Sequence, residues 1–288
     1  MDELPDEPAA RKATSTRLGD VMAMWKAIHP GIERRMTLIF SAGNGALRYS
    51  NDKVPSANYK VLLDMQFHEI ASDEAFTGLS GVGFWSMHYI DEELVRWYSA
   101  LFRHYLIEGK KERLSADPYM LKHIENPGFE NGEAGWQLAP AAEDSLTIMP
   151  TAKMPRGGSY TPVPEGKRAL LMRRSDQKPN TISQFIRDLT PGRLYSLKFY
   201  TADPACGKVL TPVGVTLDGV EVLNDKGYDR LWHGGKAFWT MHYRIFRARS
   251  PQGKLTLSDW MDGPQTNAKP PQEIVLDFVQ IEPYFEEQ

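Results

Sequence analysis

The chain has 288 residues, 41% of them hydrophobic, and a formal net charge of −3. That charge gives no electrostatic case for nucleic acid or an anionic membrane, and aromatic and basic residues are not interleaved as in base-stacking proteins. The single cysteine, Cys206, excludes an internal disulfide, and no apolar segment reaches transmembrane length.

Residues 6–15 are polar, contain Pro8 and read as a loop. From Leu18 the spacing is helical: Leu18, Val21, Met22, Trp25 and Ile28 share a face until Pro30-Gly31 stops the run. Met36 to Phe40 is a short apolar run and predicts a buried strand. The polar segment from Ser41 to Asn58 is long for an α/β connection, which marks it as functional or mobile. Val61 to Gln66 reads as the next strand, Phe67 to Phe76 as a short helix and Gly81 to Ser86 as a third strand. Asp91 is placed to cap a long helix and Gly109 to end it, with Leu94, Trp97, Tyr98, Leu101, Phe102, Tyr105 and Leu106 on its apolar face.

Apolar strands alternating with helices predict an α/β class with a parallel sheet over residues 1–118. Three strand–helix units are fewer than an eightfold barrel of roughly 250 residues needs. The expectation is therefore the C-terminal part of a longer protein, with a self-contained small α/β enzyme as the rival.

Residues 119–288 change character. Apolar residues alternate in Tyr195–Phe199, in Val213–Val222 around Asp218-Gly219 (read as a hairpin turn), in Trp239–Ile245 and in Leu255–Leu257. Many short strands with Gly/Pro turns predict an antiparallel β-sandwich. In the last strand, Glu273 to Ile281, Asp277 interrupts an apolar face; such a carboxylate costs several kcal/mol unless it is hydrogen-bonded or binds a cation. Glu130 is a second carboxylate, set in the opening Asn126-Pro127-Gly128-Phe129-Glu130.

That opening, with Gly135-Trp136, the stretch from Gln184 to Tyr195 and the closing Val275-Leu276-Asp277-Phe278-Val279, resembles jelly-roll carbohydrate-binding modules of the galactose-binding-like fold. The resemblance implies a poly- or oligosaccharide partner and a structural calcium ion held with the help of Glu130 and Asp277. The alternative is that backbone amides or Arg satisfy both carboxylates without metal. Calcium takes 6–8 oxygen ligands, so backbone carbonyls would supply the rest. Sugar-stacking candidates are Trp136, Tyr160, Tyr228, Trp232 and Trp260, each weighed against a place in the core.

In the α/β region, ligand chemistry belongs at the C-terminal ends of the strands. Asp64, Gln66, His68 and Glu69 arrive there from one strand, Trp85, Ser86, His88 and Asp91 from the next, and Asn44 follows the first; Asp2 and Glu3 stand at the start. Trp85 before a helix in which Arg103-His104-Tyr105 precedes Ile107-Glu108-Gly109 resembles the last units of a TIM-barrel glycoside hydrolase. Such enzymes need two carboxyl groups. The available ones are Glu3, Asp64 and Glu69, with Gln66, His68, Trp85, His88, Asp91, Trp232 and Trp260 as substrate-binding candidates. No redox or nucleotide cofactor is expected, since HExxH, GxSxG, GxGxxG and phosphate-loop patterns are absent. Glycan binding is the expected function, ahead of autonomous hydrolysis. The rival is a non-catalytic structural or interaction protein whose sandwich packs against the α/β part or a partner. A secreted or periplasmic location would follow from the resemblance, while the sequence itself carries no signal peptide pattern.

Overall fold

A computed structural model describes residues 6–41, 54–85, 90–151, 166–205, 211–223, 230–234, 237–260 and 273–286. The first part runs α1 (Glu7–Ile28), β1 (Thr37–Ser41), α2 (Tyr59–Ser72), β2 (Gly81–Trp85) and α3 (Glu92–Leu101), the last continued by a π-helical turn, Phe102–Ile107. β1 and β2 pair in parallel, Thr37 opposite Gly81 and Ser41 opposite Trp85. Leu38, Phe40, Val82 and Phe84 face α2 and α3, where Phe84 stacks on Tyr98 at 4.0 Å. On the other face Ile39 and Trp85 are 65% and 50% exposed.

Two expectations are corrected here. Val61–Gln66 is not a strand but the first half of α2, and Asn58 caps that helix by accepting from the Val61 N–H at 3.3 Å. Val61, Leu62, Leu63, Met65 and Phe67 are all buried, so the helix is apolar on nearly every side and shows no 3.6-residue period to read. The sheet therefore has two strands among the described residues, and the order β1-α2-β2-α3 makes two strand–helix units rather than three. Residues 7–15 are helical, not a loop. Asp6 caps α1 by accepting from Ala9 N–H at 2.8 Å, and Pro8 falls in the first turn, where a missing N–H costs nothing. The long helix starts and stops as expected: Asp91 accepts from Leu94 N–H at 2.8 Å, and Gly109 takes a left-handed φ of +66°.

The second part is an antiparallel β-sandwich. One sheet runs β10 (Arg230–Gly234), β11 (Ala237–Ala248), β7 (Leu194–Ala202), β13 (Glu273–Pro283), β5 (Arg168–Arg173), β4 (Leu146–Pro150), with β9 (Val220–Val222) on the far end of β11. The other runs β3 (Gln137–Ala139), β6 (Thr181–Ile186), β12 (Gly253–Ser258), β8 (Gly214–Asp218). From β5 to β8 and from β11 to β13 each connection changes sheet, as in a jelly roll. Between the sheets lie Phe129, Trp136, Leu197, Phe199, Phe246, Leu255, Leu257 and Ile281. Asp218-Gly219 is a turn, with φ +78° at Gly219, but not a hairpin. β8 pairs β12 and β9 pairs β11, so the turn carries the chain from one sheet to the other.

The central strands β7 and β13 are buried on both faces. One face meets the second sheet; the other carries an apolar cluster (Leu171, Tyr200, Trp239, Met241, Val275, Phe278) and, beyond it, the α/β part.

Candidate functional site

Four features come from this placement: a charged junction, a two-carboxylate corner, a half-buried Trp–Arg edge and the positions read as catalytic.

At the junction, Lys60 in the first turn of α2 lies 2.6 Å from Glu93 and 3.1 Å from Glu282. Lys198 lies 2.5 Å from Glu282 and 3.6 Å from Asp91. Tyr243 donates its hydroxyl to Glu93 at 2.8 Å, and Phe285 donates its N–H to the same carboxylate at 2.8 Å. All six side chains are buried. Burial alone would push the Glu282 carboxyl up; Lys198 and Lys60 outweigh it and hold it down at about 2. Burial pushes the Lys60 ammonium down, but Glu282 and Glu93 more than restore it. Burial and then Glu93 push the Tyr243 hydroxyl up, so it stays a donor. A signal for this network was present in the sequence: Lys198 and Glu282 are charges set in mostly apolar strands.

The second feature lies on the same strand. β13 carries a bulge: Asp277 pairs Tyr200 while Gln280 pairs Lys198, so three steps on β13 match two on β7. Phe278, inside the bulge, takes φ +57°, and Val279 donates its N–H to Pro127 O at 2.9 Å. Asp277 Oδ1 accepts from Phe278 N–H at 2.7 Å, whereas its buried Oδ2 has no hydrogen-bond partner among the described residues. Burial pushes the Asp277 carboxyl well above its ordinary range, the Phe278 N–H offsets part of that, and Glu130 pushes it further up. Glu130 Oε1 accepts from Lys167 N–H at 2.7 Å and Arg168 N–H at 3.0 Å. A Cβ on Gly166 would lie 2.2 Å from that oxygen, so only glycine leaves room for it. Among the described residues Asp277 and Glu130 are not part of any cluster of three His, Cys, Asp or Glu.

The remaining predicted residues are dispersed. Asp64 is fully buried in α2, where it accepts from Tyr105 Oη at 2.7 Å, Arg113 Nε at 2.8 Å and the Leu114 and Ser115 N–H groups at 3.0 Å. With every oxygen taken, it ties the connection after α3 to α2 rather than facing a substrate. Glu69, five positions on along the same helix, pairs with Arg11 at 3.2 Å. A five-residue step turns a helix well past one turn, so the two carboxyls leave different faces. His68 Nδ1 is bonded to Lys111 O at 2.6 Å, and Gln66 is half-buried in α2 with its Oε1 lacking a partner among the described residues. Asp91 is the α3 cap in the junction. Trp85 stands half-exposed at the end of β2. Glu3, His88, Asn44, Ser86, Tyr160, Tyr228 and Cys206 lie outside the described residues, as does the side chain of Trp232, whose backbone in β10 pairs Trp239 of β11.

Of the sandwich aromatics, Trp136 is core, stacked on Phe129 at 5.3 Å. Trp260 follows β12 and is half-buried, its Nε1–H given to Ser175 O at 3.0 Å. Arg174 precedes Ser175, and its charge acts on Asp259, beside Trp260. Its Nη2 donates to Pro212 O at 2.9 Å, while its Nε has no partner among the described residues. A cleft of about 620 Å³ beside the junction is lined by Lys60, Trp97, Arg103, His104, Asp117 and Tyr284, among others, and by none of the predicted catalytic carboxylates.

No protein-family profile matches the chain, and no curated protein does. Among solved structures it is similar to a CBM61 module in complex with beta-1,4-galactotriose, at 16% identity and a TM-score of 0.34, covering 56% of this chain and 97% of that one. It is also similar to the CBM22-1 xylan-binding domain of Xyn10C from Paenibacillus barcinonensis, at 15% identity and a TM-score of 0.33, covering 56% and 93%. A third is the K3 adhesin domain of Lys-gingipain from Porphyromonas gingivalis, at 15% and 0.33, covering 56% and 99%. Scores this low carry neither fold nor function across.

Proposed function

We propose that this chain is part of a carbohydrate-active protein whose sandwich binds an oligo- or polysaccharide. The observation behind this reading is the edge formed by Trp260 and Arg174. A half-buried indole fixed by its own N–H offers a ring on which a sugar can stack, with the Arg174 guanidinium one residue from the carbonyl that fixes it. In β1-α2-β2-α3 we read the closing strand–helix units of a glycoside-hydrolase-like barrel, a reading supported by strand–helix order and by a bare second sheet face. Binding is favoured over hydrolysis by this chain because Asp64 is spent on structural donors and Glu69 on Arg11. Titration calorimetry with a panel of oligosaccharides tests the reading. Binding that falls at least tenfold in Trp260→Ala supports it; no binding, or binding indifferent to Trp260 and Arg174, sinks it.

The reading includes a structural calcium ion at the carboxylate corner. The residues present fit a hard cation: two carboxylates, one with a buried oxygen lacking a partner among the described residues. Asp277 and Glu130 would hold the ion, and it would supply charge balance that no side chain among the described residues provides at Asp277 Oδ2.

A second reading, a non-catalytic interaction protein whose sandwich braces the α/β part, is favoured by the junction. Five buried charges spent on joining the two parts are more than a tethered module needs.

A further inference from the structure

We infer that the cation corner governs how the α/β part seats on the sandwich, through the bulge in β13 that separates Asp277 from Gln280 and Glu282. This rests on the calcium reading above and extends it to the junction.

The argument is one of register. Along a strand, side chains alternate faces, so a single inserted residue exchanges the faces of everything after it. Before the bulge, Val275 and Asp277 oppose Ala202 and Tyr200 on the outer face of the sheet. After it, Gln280 and Glu282 oppose Lys198 and Ser196 on that same face, while Val279 and Ile281 turn into the sandwich core. Without the extra residue, Gln280 and Glu282 would point into an apolar core and Ile281 at the junction. The bulge is therefore the condition for Glu282 meeting Lys60 at 3.1 Å and for Gln280 donating to Ala57 O at 3.0 Å.

What holds the bulge is local to the corner. A left-handed φ on a phenylalanine is unfavourable by itself, of order 1 kcal/mol or more. It is kept by Asp277 Oδ1 accepting from Phe278 N–H and by Val279 N–H donating to Pro127 O. The corner also touches the α/β part directly. A Cβ on Gly128 would lie 3.7 Å from Asp277 Oδ1 and 3.7 Å from Pro55, so the loop bearing Glu130 is the layer between them. Pro55 begins the segment whose Ser56 O and Asn58 N–H bond Leu121 and Tyr119 and which runs into α2. A cation that fixes the Asp277 carboxylate fixes the bulge, and the bulge orients both junction side chains on β13.

The test uses the full chain with calcium ion alone, followed by calorimetry and by hydrogen exchange with and without a chelator. The expected result is calcium binding, with chelation speeding exchange at least tenfold at Asn58, Leu121 and Phe285, whose N–H groups close the junction. The β6–β12 amides should be unaffected. Because coupling is reciprocal, Gln280→Met should weaken calcium binding by about fivefold or more. Calcium that binds yet leaves junction exchange unchanged, or binds equally well to Gln280→Met, overturns the coupling and leaves the cation site standing. Absence of any calcium binding overturns the cation reading and this inference with it.

Discussion

Strand β13 carries two buried carboxylates five positions apart, and they meet opposite conditions. Glu282 faces two lysines and is held far below the ordinary carboxylate range; Asp277 is pushed far above it by burial, with the Glu130 charge adding to the shift. Burial penalises both equally in kind. The difference is that two lysines oppose Glu282 at the junction, whereas among the described residues no cation offsets the burial of Asp277 at the corner.

The sharpest way to break this contrast is to remove the junction's own cations. Lys198→Met leaves Glu282 and Asp91 buried with less to balance them, and should cost about 3–5 kcal/mol in denaturant unfolding. A loss under about 1 kcal/mol would mean the pairing is incidental. At the corner, calcium at a hundredfold excess over its Kd should stabilise by about 2.7 kcal/mol.

The two carboxylates should also give opposite pH slopes in the chelated protein. Glu282 contributes stability that is complete above its ordinary 4.5 and is lost as pH falls toward about 2. Asp277 contributes fully below its ordinary 3.8, and that contribution is lost as pH rises above it. Melting temperature against pH should therefore fall on both sides without calcium, and calcium should flatten only the upper side. Gly166→Ala should crowd Glu130, weakening calcium binding about tenfold while costing the chelated protein on the order of 1 kcal/mol for its strained φ of +137°. Smallest of all, Arg11→Ala breaks an ion pair with the exposed arginine and should cost less than about 1 kcal/mol.

These effects show which parts of the molecule were legible in the sequence. The sandwich was, because alternation in β12 is a direct imprint of one buried face. So was the long helix, since Asp91 and Gly109 are end signals with a geometric cause. α2 was not: a helix buried all round has the same apolar run as a buried strand, and Asp64 looked like a strand-end carboxylate for that reason. Asp277 and Glu130 stood out as charges among apolar or glycine-rich neighbours. The bulge did not, because Phe278 gives no sign of a left-handed φ, and without the bulge neither Gln280 nor Glu282 could be assigned to the junction face.

The proposal that the corner takes its counter-charge from a bound cation is tested most directly by thermal unfolding near neutral pH, with calcium and with chelator, in the natural protein and in Asp277→Asn. Calcium should raise the melting temperature of the natural protein and leave that of Asp277→Asn unmoved, and under chelation the variant should melt no lower than the natural chain. An identical melting curve for the natural protein with and without calcium, with no metal bound, would contradict the account.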